Sequence, residues 1–386
     1  MKIGISTTMI QRGKSGVAQY VLALVRALLE CPGEHRLHLL VLEEDEALFA
    51  FARDRAEVVP VPESARPPVP NIRWHQTHLP ALTHRLGLDV LHVPSYRRLL
   101  WPRPCALVGT IHDLAPFHLA TKYDWKRMLY GRVVVKRLAR RQHEIVAVSQ
   151  QTARDLHRFF GLGPDRVTVV WNGIDHGRFR EGTPDADRAE AAARWGLDRP
   201  FFLYVSRLEH PAKNHVRLIE AFERFKQRTG SVWVLALAGG DWHGVEAIRA
   251  AAAASPCARD IRFLGFVDDA ALPTLYRAAG VFVYPSLFEG FGLPPVEAMA
   301  CGTPVISSTR GALREVVADA ARTVDPEDPG DLEEALTAVA GSSAERDRLR
   351  TAGLANAARF DWSTAARETL ALYERAASRV RGPVKT

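Results

Sequence analysis

Short apolar runs alternate with helical patterns along most of the chain, and this alternation restricts the fold more than any other feature. In the first half the runs are Lys2–Ser6, Leu37–Leu42, Val90–His92, Leu107–Ile111, Ile145–Val148 and Val167–Val170. The second half supplies Phe201–Val205, Val232–Ala238, Ile261–Leu264, Val281–Tyr284, Val305–Ser307 and Ala321–Val324. Helical stretches such as Val17–Leu29, Val216–Lys226 and Ala271–Ala279 lie between them. Such alternation predicts parallel sheets with helices on both faces. Twelve strands are too many for one open sheet, so 386 residues are expected to form two α/β domains. The boundary is read at His176–Pro200, which holds Gly177, Gly182, Pro184 and many charges. That gives domains 1–180 and 181–362, with a closing helix from Ser363 to Ser378. Pro60–Pro70, with five prolines, reads as an irregular loop.

Bulk properties exclude several classes. No apolar run reaches the ~18 residues of a membrane-spanning helix, and Met1–Ser6 soon meets Arg12 and Lys14, leaving no room for a signal peptide. Cys31, Cys105, Cys257 and Cys301 show neither metal nor redox spacing, which suits a cytoplasmic protein. The net charge of +7 calls for an anionic partner, and nucleotide-sugar phosphates, lipid headgroups and nucleic acid all qualify. No motif supports nucleic acid.

The chemistry concentrates between Tyr284 and Val305. The strand Val281–Tyr284 runs into Pro285-Ser286-Leu287-Phe288-Glu289-Gly290-Phe291-Gly292-Leu293, then a short helix pre-set by Pro294 and Pro295 at its first turn and closed by Gly302. Glu289 is expected in the strand-to-helix loop and Glu297 in the first helical turn. Carboxylates there would grip hydroxyls while the helix end faces phosphates. A purely electrostatic role at the helix end would suit Glu297 but not Glu289, which precedes the helix. After Phe201–Val205 comes Ser206-Arg207-Leu208-Glu209-His210-Pro211-Ala212-Lys213-Asn214, whose two cations suit a diphosphate. The competing reading is a solvated basic loop. Near the N-terminus, Gly13-Lys14-Ser15 imitates a P-loop, but Thr8 stands where that motif needs glycine, which rules out an ATPase. Gly16 reads instead as a place for close backbone approach to phosphates. His112 ends the strand Leu107–Ile111.

These segments resemble the large retaining glycosyltransferase family 4. Phe288–Pro294 and Glu297–Val305 match its E-x7-E signature nearly letter for letter, and Arg207 with Lys213 matches its Arg-x5-Lys element. The resemblance covers nearly the whole chain. It implies the GT-B fold, in which two Rossmann-like domains face a deep cleft and the C-terminal helix, here 363–386, returns to the first domain. It implies acceptor binding by the first domain and nucleotide-sugar binding by the second. Glu297 would hold the ribose, and Glu289 with the N–H groups of Gly290, Phe291 and Gly292 would hold the sugar. Arg207, Lys213 and the helix end at Leu293 would offset diphosphate charge. Ser206, Gly16 and Phe266, the last in the segment relatives place against the base, complete the donor contacts, and His112 would bond the donor sugar. No cofactor or metal is implied beyond the nucleotide-diphosphate sugar itself.

The context His112-Asp113-Leu114-Ala115-Pro116-Phe117 resembles bacterial mannosyltransferases of surface-polysaccharide assembly, which places GDP-mannose ahead of a UDP-sugar. A glycan or lipid-linked acceptor follows. The segment Lys122–Arg141 has eight basic residues and three aromatics, and reads either as a domain helix with a solvated face or as a dock for an anionic membrane at the inner cytoplasmic face. Asp185-Ala186-Asp187 reads as solvated linker charge rather than a metal site, and His75 with His78 lacks a third zinc ligand. A nucleotide-sugar epimerase and a non-catalytic sugar-nucleotide-binding subunit remain alternatives. A dinucleotide oxidoreductase would need a Gly-x-Gly-x-x-Gly fingerprint, and none follows the early strands.

Overall fold

The computed structural model describes residues 1–13, 15–118 and 128–381. The chain divides into two units, Met1–Gly173 together with the chain from Asp361 onward, and Ile174–Phe360. The first division thus falls at Gly173/Ile174 rather than at 180/181.

Each unit is built on one all-parallel sheet. Unit 1 contains β1 (Lys2–Ser6), β2 (Arg36–Leu42), β3 (Ala56–Val61), β4 (Val90–Val93), β5 (Ala106–Ile111), β6 (Glu144–Ala147) and β7 (Val167–Val169), in the spatial order β3-β2-β1-β4-β5-β6-β7. Unit 2 contains β8 (Phe201–Val205), β9 (Val234–Ala238), β10 (Ile261–Gly265), β11 (Val281–Tyr284), β12 (Val305–Ser308) and β13 (Arg322–Val324), in the order β10-β9-β8-β11-β12-β13. Helices cover both faces, so the strands are sealed: Ile3, Leu91, Val108, Phe202, Leu235, Phe282 and Ile306 are fully buried. In both sheets the order reverses beside the first strand, at β1/β4 and at β8/β11. Loops leaving those carboxyl ends diverge and open a crevice, the place where open α/β sheets bind ligands.

Two sequence readings are corrected. Pro60–Pro70 is not an irregular loop: Pro60 lies in β3, and Pro68 opens the helix Pro68–Thr77. Strand β3 tolerates a proline because it is the sheet's edge, and the fixed φ of Pro68 suits a first helical turn. Nor is 176–200 a linker, because the helix Pro184–Trp195 fills its centre. Asp187 on that helix is buried and takes two bonds from Arg277, at 2.7 and 2.8 Å. The pair is structural, not solvated linker charge.

The helix Trp362–Arg381 packs on unit 1 through a buried polar chain. Tyr373 Oη lies 2.7 Å from His92 Nδ1, His92 Nε2 lies 2.7 Å from Thr110 Oγ1, and Thr110 meets Tyr20 Oη at 3.1 Å. Burial pushes His92 down to about 3 and Tyr20 up to about 12, so the whole chain is neutral at pH 7. At the helix's far end Arg379 sits 2.9 Å from buried Glu144. Replacing Tyr373 with Phe leaves His92 Nδ1 without a partner inside the core. The expected loss is about 1–3 kcal/mol, read as a lower urea midpoint with unchanged slope.

Candidate functional site

The switch point of unit 2 assembles the site. The loop after β8 and the loop after β11 are stitched together: Leu287 N–H donates to Ala212 O at 3.0 Å, and Asn214 Nδ2 donates to Pro285 O at 3.1 Å and Pro326 O at 2.6 Å. Tyr204, at the core of β8, donates to Lys213 O at 2.7 Å. This scaffold sets Lys213 Nζ 2.5 Å from Glu289 Oε1, with both side chains only 16% exposed. The same oxygen accepts from Ser286 Oγ at 2.6 Å and Tyr284 Oη at 3.0 Å. Burial raises the Tyr284 hydroxyl well above its ordinary range, so it remains a donor. Tyr284, Ser286, Tyr204 and Asn214 went unassigned in the sequence reading. Only Ser286, three residues ahead of Glu289, carried a local signal.

Glycines shape the approach to the helix Leu293–Ala300. Gly292 has φ 98°, and a Cβ there would stand 2.5 Å from Leu313. Gly311 has φ 63° and presses against Glu289, since its Cβ would meet the Glu289 carbonyl oxygen at 2.5 Å. Pro294 and Pro295 carry no N–H, so the backbone donors at this end come from the Phe291–Leu293 segment. Phe291 contributes backbone alone, because its ring is buried against Phe360.

Glu297 is the fifth residue of that helix, and so lies in its second turn rather than its first. It accepts from Tyr276 Oη at 2.9 Å. Burial raises its pKa to about 7, with the Tyr276 bond and the charge of Arg178 opposing. Neither Tyr276 nor Arg178 was legible beforehand.

Arg207 and Lys213 are held differently. Arg207 is half exposed, donates to the buried carboxylate of Glu209 at 3.1 Å and lies over the Trp242 ring at 4.7 Å. His243 Nε2 reaches the other Glu209 oxygen at 3.3 Å. Ser206 Oγ lies 3.4 Å from His215 Nε2. Phe266, just past β10, is 67% exposed.

In unit 1, Ser15 caps the helix Gly16–Glu30 by accepting from Ala18 N at 3.2 Å. Gly16 opens that helix, and a Cβ on it would meet nothing within 4 Å. Lys14 of the Gly13–Gly16 loop lies outside the described residues, as do residues 122–127 of the basic segment. His112 follows β5, its Nε2 3.1 Å from Pro94 O. A carbonyl only accepts, so Nε2 carries the proton. Burial lowers the His112 pKa, and the neutral ring presents Nδ1 as an acceptor for a hydroxyl. Among the described residues, no group of three His, Cys, Asp or Glu side chains is placed to hold a metal ion.

The arrangement can bind polyol hydroxyls at carboxylates and anionic oxygens at an ammonium and backbone N–H groups. Comparison with known proteins identifies the family. Residues 185–355 match the model "Glycosyl transferases group 1" and residues 14–178 match "Glycosyltransferase Family 4". The chain is 30% identical over 273 residues to the Escherichia coli O-antigen chain mannosyltransferase B, covering 69% of this chain and 70% of that one. It is 36% identical over 244 residues to D-inositol 3-phosphate glycosyltransferase 2 of Catenulispora acidiphila, covering 60% and 56%. It is 32% identical over 296 residues to the MMP alpha-(1->4)-mannosyltransferase of Mycolicibacterium hassiacum, covering 71% and 66%. Among solved structures, sucrose-phosphate synthase from Thermosynechococcus elongatus superposes with a TM-score of 0.76 at 21% identity, over 98% of this chain and 100% of that one. Anabaena HepE in complex with UDP-glucose also gives 0.76, at 19% identity, over 97% and 99%. With both domain models matched in order on two parallel-sheet units, the chain belongs to the family 4 glycosyltransferases of the GT-B fold.

Proposed function

We propose that this glycosyltransferase retains anomeric configuration and moves a hexosyl unit from a nucleoside-diphosphate sugar, GDP-mannose ahead of a UDP-sugar, to a hydroxyl of a glycan, lipid-linked or small-molecule acceptor. The observation that carries the reading is the Lys213–Glu289 pair, set at 2.5 Å beside a glycine-opened helix end at the sheet's switch point. In this reading unit 2 holds the donor and unit 1 the acceptor. Glu289 accepts from sugar hydroxyls, with the Gly290–Gly292 backbone alongside. Lys213, Arg207 and the helix end offset charge growing on the leaving diphosphate without a metal. Glu297 takes the ribose hydroxyls, Phe266 and Ser206 line the nucleotide, and Gly16 lets phosphate approach the Gly16–Glu30 helix. His112 Nδ1 accepts from a hydroxyl of the transferred sugar. No side chain is assigned as a nucleophile: the acceptor hydroxyl attacks from the face the diphosphate leaves, and the leaving phosphate oxygen takes its proton. The preference for mannose rests on the sequence around His112 and on the mannosyltransferases among the relatives.

The test begins with thermal shifts against a panel of nucleotide sugars, since a true donor stabilises the fold by mass action. With the donor found, Glu289→Gln and Lys213→Ala are each expected to cut transfer at least a hundredfold while leaving the circular dichroism unchanged. Near-normal turnover in either variant removes the assignment. Donor converted without any acceptor would instead identify an epimerase, and donor bound without turnover a binding subunit.

Glu297 adds a pH dependence. With a pKa of about 7, it is largely protonated below that value and carries its full acceptor capacity only above it. Affinity for a nucleotide sugar, whose diphosphate does not titrate there, should therefore rise several-fold between about pH 6 and pH 8. The Glu297→Gln variant should lose that rise; a wild-type profile identical to the variant's would exclude Glu297 as the ribose anchor.

A second reading concerns the membrane. Leu129, Val133 and Val134 are 55%, 39% and 40% exposed on the helical stretch 128–139, beside exposed Arg132, Arg137 and Arg140. Trp101, 51% exposed, carries Arg141 over its ring. No described helix is long and apolar enough to cross a bilayer, but apolar side chains amid cations suit peripheral docking on anionic lipid. Vesicle flotation is expected to retain the protein on anionic and not on neutral lipid, and Leu129→Glu with Val133→Glu should abolish retention.

A further inference from the structure

The switch point of unit 1 holds a cation that the donor chemistry does not use. Arg98 lies on the loop after β4, whose neighbour in the sheet is β1. Its Nε donates to Asn71 Oδ1 at 2.5 Å, and its Nη1 makes a long 3.5 Å contact with Arg97 O. Asn71 is itself anchored: Nδ2 donates to Ala65 O at 2.8 Å, and its main-chain oxygen accepts from His75 Nδ1 at 2.8 Å. His75 Nε2 in turn lies 3.0 Å from Ser6 Oγ at the carboxyl end of β1. Burial lowers the His75 pKa to about 4, so this whole support is neutral.

Arg98 itself is part-buried, and among the described residues it meets no carboxylate. Burial lowers its pKa, and the Tyr130 hydroxyl and the Arg97 guanidinium act on it electrostatically. A desolvated guanidinium cannot shed its proton, and leaving it unpaired is costly. With Nε tethered and Nη1 held only by the long contact to Arg97 O, its Nη pair keeps the fork geometry that matches two oxygens of a phosphate. The same short loop supplies Pro94 O, the carbonyl that fixes the tautomer of His112. The cation and the hydroxyl-accepting histidine therefore share one support.

We infer that Arg98 is an acceptor-specificity residue, binding the phosphate of a hydroxylated phosphoester whose free hydroxyl receives the sugar. The inference rests on the proposed assignment of unit 1 to the acceptor. A soluble sugar phosphate and a phosphoinositol lipid headgroup offer the same chemistry.

The test uses the full chain without donor. Isothermal titration with mannose 6-phosphate and with mannose is expected to show binding at least tenfold tighter for the phosphorylated sugar, and competition by inorganic phosphate. Arg98→Gln should erase that preference, Arg98→Lys should keep part of it, and Lys213→Ala should not remove it. Phosphatidylcholine vesicles with and without phosphatidylinositol form the lipid arm. An Arg98-dependent gain confined to phosphatidylinositol identifies a headgroup, and a gain confined to mannose 6-phosphate identifies a soluble acceptor. Indifference of the wild type to phosphate in both arms overturns the inference, as does wild-type phosphate affinity in Arg98→Gln. Should Arg98→Gln fail to fold, the wild-type contrast and Arg98→Lys still decide. If no nucleotide sugar stabilises the chain, the proposed transferase chemistry falls, while the phosphate titration needs no donor and still tests Arg98. With donor present, Arg98→Gln should raise the KM for the phosphorylated acceptor far more than it lowers kcat.

Discussion

The candidate site hangs on one reversal of strand order. With β8 and β11 side by side and parallel, the chain must leave their carboxyl ends in opposite directions, and a crevice opens where it does. The protein then spends its buried hydrogen bonds on fixing the two loops. Asn214 ties both to the loop after β13 through the carbonyls of Pro285 and Pro326, and the Tyr204 hydroxyl holds the carbonyl of Lys213. Lys213 and Glu289, 76 residues apart in sequence, meet only because this frame is rigid. On an exposed surface such a pair would be worth little. Here, largely buried and reinforced by Ser286 and Tyr284, it forms a preorganised polar centre.

Much of this was legible in the sequence because it is local. Strand and helix periodicity gave two parallel-sheet units, and nearly every strand was placed within a residue or two. The spacing of Glu289 and Glu297 and the Arg207/Lys213 loop marked the site. The failures have local causes too. Prolines hid β3, because a proline signals disruption unless the strand is known to be an edge. Charge and glycine disguised the Pro184–Trp195 helix as a linker. Pro294 and Pro295, read as setting the first turn, put Glu297 within that turn, whereas the helix begins at Leu293 and Glu297, its fifth residue, starts the second.

What stayed hidden depends on contacts distant in sequence. Tyr276 reaches Glu297 from a helix 21 residues upstream. Arg207 is steadied by buried Glu209 and the Trp242 face, the latter 35 residues further along the chain. Asp187 finds Arg277 across 90 residues. No single-residue pattern announces such pairs, because their partners are chosen by how helices land on the sheet.

The two carboxylates of one motif end in different electrostatic situations. Glu289 gathers a lysine and two hydroxyls on one oxygen, whereas Glu297 has a single tyrosine and is pushed up to about 7 by burial. The two switch points contrast in the same way. At β8/β11 the cation of Lys213 is already paired with Glu289, so in the proposed reading a diphosphate would gain less from Lys213 alone and would depend on Arg207 and the helix end. At β1/β4 the cation of Arg98 is held by a neutral amide, and nothing in the surrounding described structure balances it. A compensated charge can steady a charge that develops during reaction without drawing the substrate into a trap. An uncompensated one is suited to capture, because its binding partner supplies the missing half of the pair. In the proposed reading, the same fold element, used twice, separates holding a donor through bond cleavage from selecting what receives the sugar.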